Sequence, residues 1–68
     1  MQNIGEQIKR RRKMLGISQR QFSAIAEVGI NTLTKIERGE ANPTVEVLSR
    51  ILSALGMELT ISVKQPES

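Results

Sequence analysis

The sequence predicts an all-α domain of four short helices, followed by a single β-strand. Up to residue 56, apolar residues recur at steps of three and four, with caps or glycines where helices would begin and end. After Gly56 the spacing changes to two. With 68 residues, the chain is one small domain, in which about 60% of the unfolded surface would be buried. We therefore predict one domain over residues 1–64 and a disordered tail over 65–68.

The amino-acid composition argues against several classes of function. The chain contains no Cys and no His, which excludes disulfides, ordinary zinc sites, thiol nucleophiles and His general bases. Its seven acidic residues are scattered, and no paired-carboxylate metal site is evident. No apolar run approaches the roughly 20 residues of a membrane span, and the N-terminus lacks a signal peptide's apolar core. We therefore expect a soluble cytoplasmic protein that is not an enzyme and uses no metal or cofactor.

Positive charge is concentrated near the N-terminus. The net charge is +3, but residues 1–20 carry +5 and the remaining residues carry −2. A basic N-terminal third is typical of a protein that binds a polyanion. A solvated helix face would give the same charge run, so the charge alone does not decide between the two.

The first helix is predicted from Asn3 to Gly16. Asn3 can cap the free N–H groups, and Glu6 follows three residues later, as in a capping box. Arg11 is expected at the rim of the apolar stripe with its stem packed, and Ile17 turns back into the core. The stripe consists of Ile4, Ile8 and Leu15.

The second helix has the clearest start signal, because Ser18 and Gln21 form a capping box. Phe22 is the only aromatic residue and is expected to anchor the core instead of stacking on a nucleic-acid base. The predicted inner face consists of Phe22, Ile25 and Ala26.

The turn Glu27–Gly29 leads into a third helix over residues 30–38, which Gly39 ends. Leu33 and Ile36, three residues apart, point inward. The side chains left on the outer face are Ile30, Asn31, Thr34, Lys35 and Arg38.

Thr44 caps the fourth helix, and Gly56 ends it. Its core stripe is Leu48, Ile51, Leu52 and Leu55. Residues 57–64 then alternate apolar and polar, which indicates a strand. A lone strand needs a partner, and the simplest is the same strand of a second copy, paired through Leu59, Ile61 and Val63. A strand packed alone over the helices is the alternative.

Several sequence elements at fixed spacing point to a known family. They are LGISQ at 15–19, Phe22, Ala26, Val28, Leu33 and IERGE at 36–40. With them, roughly residues 4–56 closely resemble the helix-turn-helix domain of the lambdoid phage repressors and Cro, the XRE family. The segment LSALGMEL at 52–59 is similar to a narrower branch, the small regulators related to HipB-type antitoxins. In that branch a dimerising strand replaces the fifth helix.

The resemblance implies DNA contacts at individual positions. Gln19 matches a position that contacts a phosphate. Ile30, Asn31 and Lys35 match positions from which the recognition helix reaches base edges, and Arg38 matches a backbone-contact region.

The resemblance also implies a buried ion pair between Arg12 and Glu37 that ties the first helix to the third. Two positions depart from the family pattern. Glu27 stands where the family usually has Gly, so either the domain absorbs about 1 kcal/mol of backbone strain or the turn shifts toward Gly29. Gly29 itself stands where many relatives have a capping Ser or Thr.

Side-chain chemistry suits the third helix to the major groove of double-stranded DNA. Asn31 can pair bidentately with adenine, and Lys35 can reach guanine acceptors. Ile30 can contact a thymine methyl or pack against a dimer partner, and Thr34 can serve base or backbone. The expected salt-sensitive phosphate contacts are Lys9, Arg10, Arg20 and Arg38.

We therefore expect a homodimeric, sequence-specific transcriptional regulator, most simply a repressor, that reads a near-palindromic operator. The alternative is a HipB-like antitoxin that neutralises a protein toxin and autoregulates its operon. An adaptor without DNA binding is disfavoured by the polar third helix.

Overall fold

The computed structural model describes residues 3–60, and these contain the four predicted helices. They are α1 (Ile4–Met14), α2 (Gln19–Ala26), α3 (Ile30–Glu37) and α4 (Val45–Ala54). No strand is present within residues 3–60. No helix in that range is long and apolar enough to cross a membrane. The predicted four-helix architecture is therefore confirmed for the described part of the chain.

The helix starts follow the predicted caps. Asn3 accepts a hydrogen bond from the Glu6 N–H (2.7 Å), and Thr44 caps α4 in the same way. Ser18 and Gln21 form a complete capping box at α2, with bonds of 3.1 and 3.0 Å. Since each cap satisfies an N–H group that has no partner inside its helix, the chain fixes these starts locally.

One apolar core lies where the four helices meet. Phe22 and Leu33 are fully buried at its centre, and Ile17 and Met57 pack against its edge. The other buried apolar residues are Ile8, Ala26, Ile36, Leu48, Ile51, Leu52 and Leu55. The predicted stripe of α4 is confirmed in full, and α3 buries the two residues expected.

Two predicted inner faces are partly wrong. Ile4 and Leu15 are exposed, and Gly5, Ile8 and Arg12 instead form the buried side of α1. Ile25 is 58% exposed, so α2 buries Phe22, Ser23 and Ala26. Small or polar residues thus take part in the buried side of both helices. Gly5 and Arg12 in α1, and Ser23 in α2, occupy buried positions where periodicity alone favours apolar residues.

Gly5 explains why α1 and α3 approach so closely. A Cβ atom at Gly5 would lie 2.9 Å from the backbone oxygen of Glu37 and closer still to that of Ile36. Such distances are well inside van der Waals contact, so any side chain would push the two helices apart. No periodic or capping signal in the sequence points to this role of Gly5.

The turn between α2 and α3 absorbs backbone strain at Glu27. This residue has φ 57° and ψ 46°, the left-handed conformation, whereas Gly29 has φ −64° and ordinary extended geometry. Of the two expected outcomes, the turn therefore keeps its position. The Arg50 guanidinium donates to the Glu27 carbonyl oxygen (3.2 Å) and helps to hold the turn against α4.

The predicted strand over 57–64 is not observed in its described half. Met57 donates its N–H to the Leu52 carbonyl oxygen (2.8 Å) and is half-buried against the core, so it completes the end of α4. Glu58, Leu59 and Thr60 are not part of a β-strand. Residues 61–64 and the tail over 65–68 lie outside the described residues.

Candidate nucleic-acid interface

The turn between α2 and α3 presents the outer face of α3 to solvent. Asn31, Lys35 and Arg38 are exposed there, and Ile30 is 40% exposed. Thr34 is half-buried on the side of α3 that faces the start of α2. Of the residues proposed to contact bases, Ile30, Asn31, Thr34 and Lys35 thus share one helix, and Arg38 ends it as its C-cap. An α-helix with its side chains is about 10–12 Å across, and the major groove of B-DNA, about 12 Å wide, admits it.

A buried ion pair holds α3 against α1. The Arg12 Nε and Nη2 groups donate to the two carboxylate oxygens of Glu37, at 2.7 and 2.9 Å. The side chains are only 7% and 2% exposed, and Arg12 also donates to the Ile17 carbonyl oxygen (2.9 Å). This is the pair that the resemblance implies, in bidentate geometry.

The ion pair fixes the protonation of both groups. Burial raises the pKa of Glu37, but the hydrogen bonds from Arg12 and Gln19 outweigh it and hold that pKa below its ordinary value. The hydrogen bond to Glu37 raises the pKa of Arg12 against the opposing effect of burial. Glu37 is therefore a carboxylate that only accepts hydrogen bonds at neutral pH.

Gln19 connects the ion pair to the exposed face of α3. Its Nε2 group donates to the Glu37 Oε1 atom (3.0 Å), and its Oε1 atom lies 3.3 Å from the Thr34 hydroxyl. A chain of polar contacts thus runs from Arg12 through Glu37 and Gln19 to Thr34. The family resemblance implies a phosphate contact for Gln19; the structure also gives it these two partners inside the protein.

The basic side chains proposed for phosphate binding lie on α1, α2 and the end of α3. The positive charge of Lys9 helps to lower the pKa of Glu37, so Lys9 lies on the side of α1 nearer to that carboxylate. Arg10 lies about 200° around the axis from the buried Ile8, on the side of α1 that faces away from the core. Arg20 is exposed in the first turn of α2.

Lys13 is a further basic residue on the same helix as Lys9 and Arg10. Together with Glu6, Lys9 and Arg10 it borders one shallow depression on α1. The signal that could have found it is the four-residue step from Lys9, which places both ammonium groups on one side of the helix.

Of the residues proposed for dimerisation, only Leu59 is described. It is 40% exposed and is available for a contact. Ile61 and Val63 lie outside the described residues.

Comparisons with known proteins agree with this geometry. The sequence profile of the family HTH_3, described as helix-turn-helix, matches residues 8–61. The chain is 40% identical over 50 residues to an uncharacterised HTH-type transcriptional regulator of Haemophilus influenzae, covering 74% of this chain and 51% of that protein. It is 34% identical over 58 residues to the transcriptional regulator ClgR of Mycobacterium tuberculosis, covering 85% and 52%.

A solved structure shares the fold. It is the crystal structure of an HTH_3 family transcriptional regulator from Vibrio cholerae, with a TM-score of 0.75 and 36% sequence identity. The match covers 81% of this chain and 31% of that one. The chain thus spans about half the length of the curated relatives it matches, so the likeness concerns their helix-turn-helix part.

Proposed function

The chain belongs to the helix-turn-helix family HTH_3, a family of DNA-binding transcriptional regulators, and we propose that it reads a specific sequence by placing α3 in the major groove. The observation that carries the proposal is the outer face of α3, where Asn31 and Lys35 are exposed. The opposite side of α3 is held by hydrogen bonds to Arg12 of α1 and Gln19 of α2. A rigid support of this kind keeps side chains in fixed register with base edges.

Base recognition falls to the outer side chains of α3, and three of them, besides Thr34, have an evident base partner. Asn31 pairs bidentately with adenine, the Lys35 ammonium donates to guanine O6 or N7, and Ile30 packs on a thymine methyl. Their exposure on one helix supports these roles.

Phosphate contacts come from basic residues of α1, α2 and α3. Lys9 is exposed in the middle of α1, Arg20 in the first turn of α2 and Arg38 at the end of α3, and Arg10 adds charge further around α1. Gln19 keeps one Nε2 proton free for a phosphate while the other binds Glu37. These contacts position the protein and make its affinity fall with salt, without reading sequence.

We propose that the DNA-binding form is a homodimer and that it acts as a repressor. One helix of this length supplies few base contacts, whereas two copies on half-sites one helical turn apart give useful affinity and a near-palindromic operator. The alternating pattern over 57–64 and the exposure of Leu59 support pairing through this segment. Antitoxin activity would keep this DNA binding and add a toxin partner.

Selection of binding sites from random double-stranded DNA tests the proposal. We expect a short near-palindrome. Asn31→Ala should then lose discrimination at one base pair in each half-site by about 1–3 kcal/mol. Lys9→Ala is the matched control, since it should weaken all sequences alike and reduce the salt slope by about one. No enriched sequence, or two variants with the same effect on selected and random DNA, would contradict the proposal.

The dimer is tested separately by sedimentation. Ile61→Pro removes a backbone donor from the proposed pairing segment and should give monomers with reduced operator affinity. Ile61→Val keeps both the backbone donor and an apolar β-branched side chain and serves as control. A dimer unchanged by the proline would refute pairing through this segment.

A further inference from the structure

The amide of Gln19 has only one stable orientation. The Glu37 carboxylate next to it is buried, ionised and paired with Arg12, so it can only accept hydrogen bonds. The Gln19 amide must therefore turn its nitrogen toward Glu37, as the 3.0 Å contact shows. Its oxygen is left pointing to the other side, toward Thr34.

The Thr34 hydroxyl lies between two acceptors of the protein. Its Oγ1 atom is 2.9 Å from the Ile30 carbonyl oxygen and 3.3 Å from the Gln19 Oε1 atom. A hydroxyl has one proton, and both neighbours compete for it. Whichever acceptor takes the proton, Oγ1 has only lone pairs left for an outside molecule, and Thr34 is half-buried, not enclosed.

We infer that Thr34 meets DNA as a hydrogen-bond acceptor and thereby selects adenine or cytosine over guanine or thymine on the strand that it faces. In the major groove, adenine and cytosine present amino donors, whereas guanine and thymine present oxygen acceptors in the corresponding region. A threonine hydroxyl ordinarily serves either kind of edge. Here Gln19 acts as a positioning residue that removes this freedom. The inference rests on the proposed DNA binding.

The same geometry opposes a phosphate contact by Thr34. A phosphate oxygen accepts hydrogen bonds and would need the proton that Ile30 and Gln19 already share. Thr34 should therefore affect sequence preference without changing the salt dependence of binding.

Site selection with wild type, Thr34→Val and Thr34→Ser tests the inference. Wild type should enrich adenine or cytosine at one position per half-site, by about three- to tenfold over guanine or thymine. Thr34→Val keeps the shape but lacks the hydroxyl, so the preference should vanish. Thr34→Ser keeps the hydroxyl and loses only the methyl group, so the preference should persist. If Thr34→Val keeps the preference and Thr34→Ser loses it, the methyl group reads the base, and the inference is wrong. Loss of the preference in both variants would also contradict reading by the hydroxyl alone.

A second measurement uses altered DNA. At the identified position, the selected base is replaced by its analogue without the amino group. Wild type should lose about three- to tenfold in affinity, and Thr34→Val should lose almost nothing. Gln19→Met should reduce the preference for adenine or cytosine, because the Thr34 hydroxyl then has one side without a protein acceptor and can donate its proton there. An unchanged preference would overturn the role of Gln19.

The outcomes separate this inference from the proposed function. If wild type enriches no sequence, DNA recognition itself fails. If wild type enriches a sequence that Thr34→Val enriches equally, recognition stands and the inference fails. A uniform loss of affinity in Thr34→Val with a smaller salt slope would assign Thr34 to a phosphate and also overturn it.

Discussion

Replacing Glu37 with Gln should remove a large part of the stability of this domain. The substitution keeps the size of the side chain but leaves the Arg12 guanidinium, which is 7% exposed, without its counter-charge. One of the two Arg12 hydrogen bonds is also lost, because the amide nitrogen would face another donor. Breaking one side of a buried ion pair costs about 3–5 kcal/mol.

The loss expected for Glu37→Gln is large compared with the free energy of unfolding of the whole domain. A domain of 68 residues is expected to have a free energy of unfolding of roughly 3–10 kcal/mol. Glu37→Gln should therefore lose from about a third to all of this free energy of unfolding. Because the chain has no Trp or Tyr, urea unfolding followed by far-ultraviolet circular dichroism is the suitable assay. A loss below about 1 kcal/mol would refute the reasoning.

The double variant Arg12→Met, Glu37→Met identifies the cause. If the unpaired charge dominates, replacing both partners by apolar side chains should recover part of the loss. If instead the double variant is less stable than Glu37→Gln, the shape of the pair matters more than its charge.

The ion pair also predicts a dependence of stability on pH. The folded pKa of Glu37 is lowered from an ordinary value of about 4.5, so the unfolded chain binds the proton more readily. The contribution of Glu37 is complete above that value and is lost as the pH falls through the folded pKa. Below about pH 4.5, wild type should lose stability more steeply than Glu37→Gln.

Three further comparisons test the packing, each by urea unfolding. Gly5→Ala should destabilise by about 1–3 kcal/mol, because the Cβ atom would lie 2.9 Å from the Glu37 oxygen; stability equal to wild type would contradict the close approach of the helices. Glu27→Gly should stabilise by about 1 kcal/mol by relieving the left-handed backbone, whereas Glu27→Ala should not. Ile25→Lys should change stability by less than about 0.5 kcal/mol, while Phe22→Ala should cost about 3–5 kcal/mol. Equal losses would mean that Ile25 is buried on the inner face of α2, as the sequence pattern predicts.

Local signals in the sequence determined the helices. Asn3, Ser18 and Thr44 cap their helices through atoms three residues away, and Gly16 and Gly39 adopt the left-handed conformation that ends a helix. Such interactions involve neighbours along the chain, so they can be predicted without knowing the fold. The wide apolar stripe of α4 is predictable for the same reason.

Motif spacing predicted most of the candidate interface. Leu33 and Ile36 fix which side of α3 faces inward, and this leaves Asn31 and Lys35 outside. The Arg12–Glu37 pair, however, followed only from a resemblance, because the two residues are 25 positions apart. Periodicity carries no information about a polar contact between helices that are distant in sequence.

Only the tertiary structure decided how close the helices lie and what the interface side chains contact. Gly5 lies at a close contact between α1 and α3, and Ile25 is exposed. The angle and distance between packed helices determine which residues of each apolar face are covered. Gln19 gained its partners Glu37 and Thr34 because three helices converge at one point. The sequence by itself determined where the helices begin and end and which side of α3 is free. The hydrogen bonds that orient that side depend on distances between separate helices, and these exist only in the folded chain.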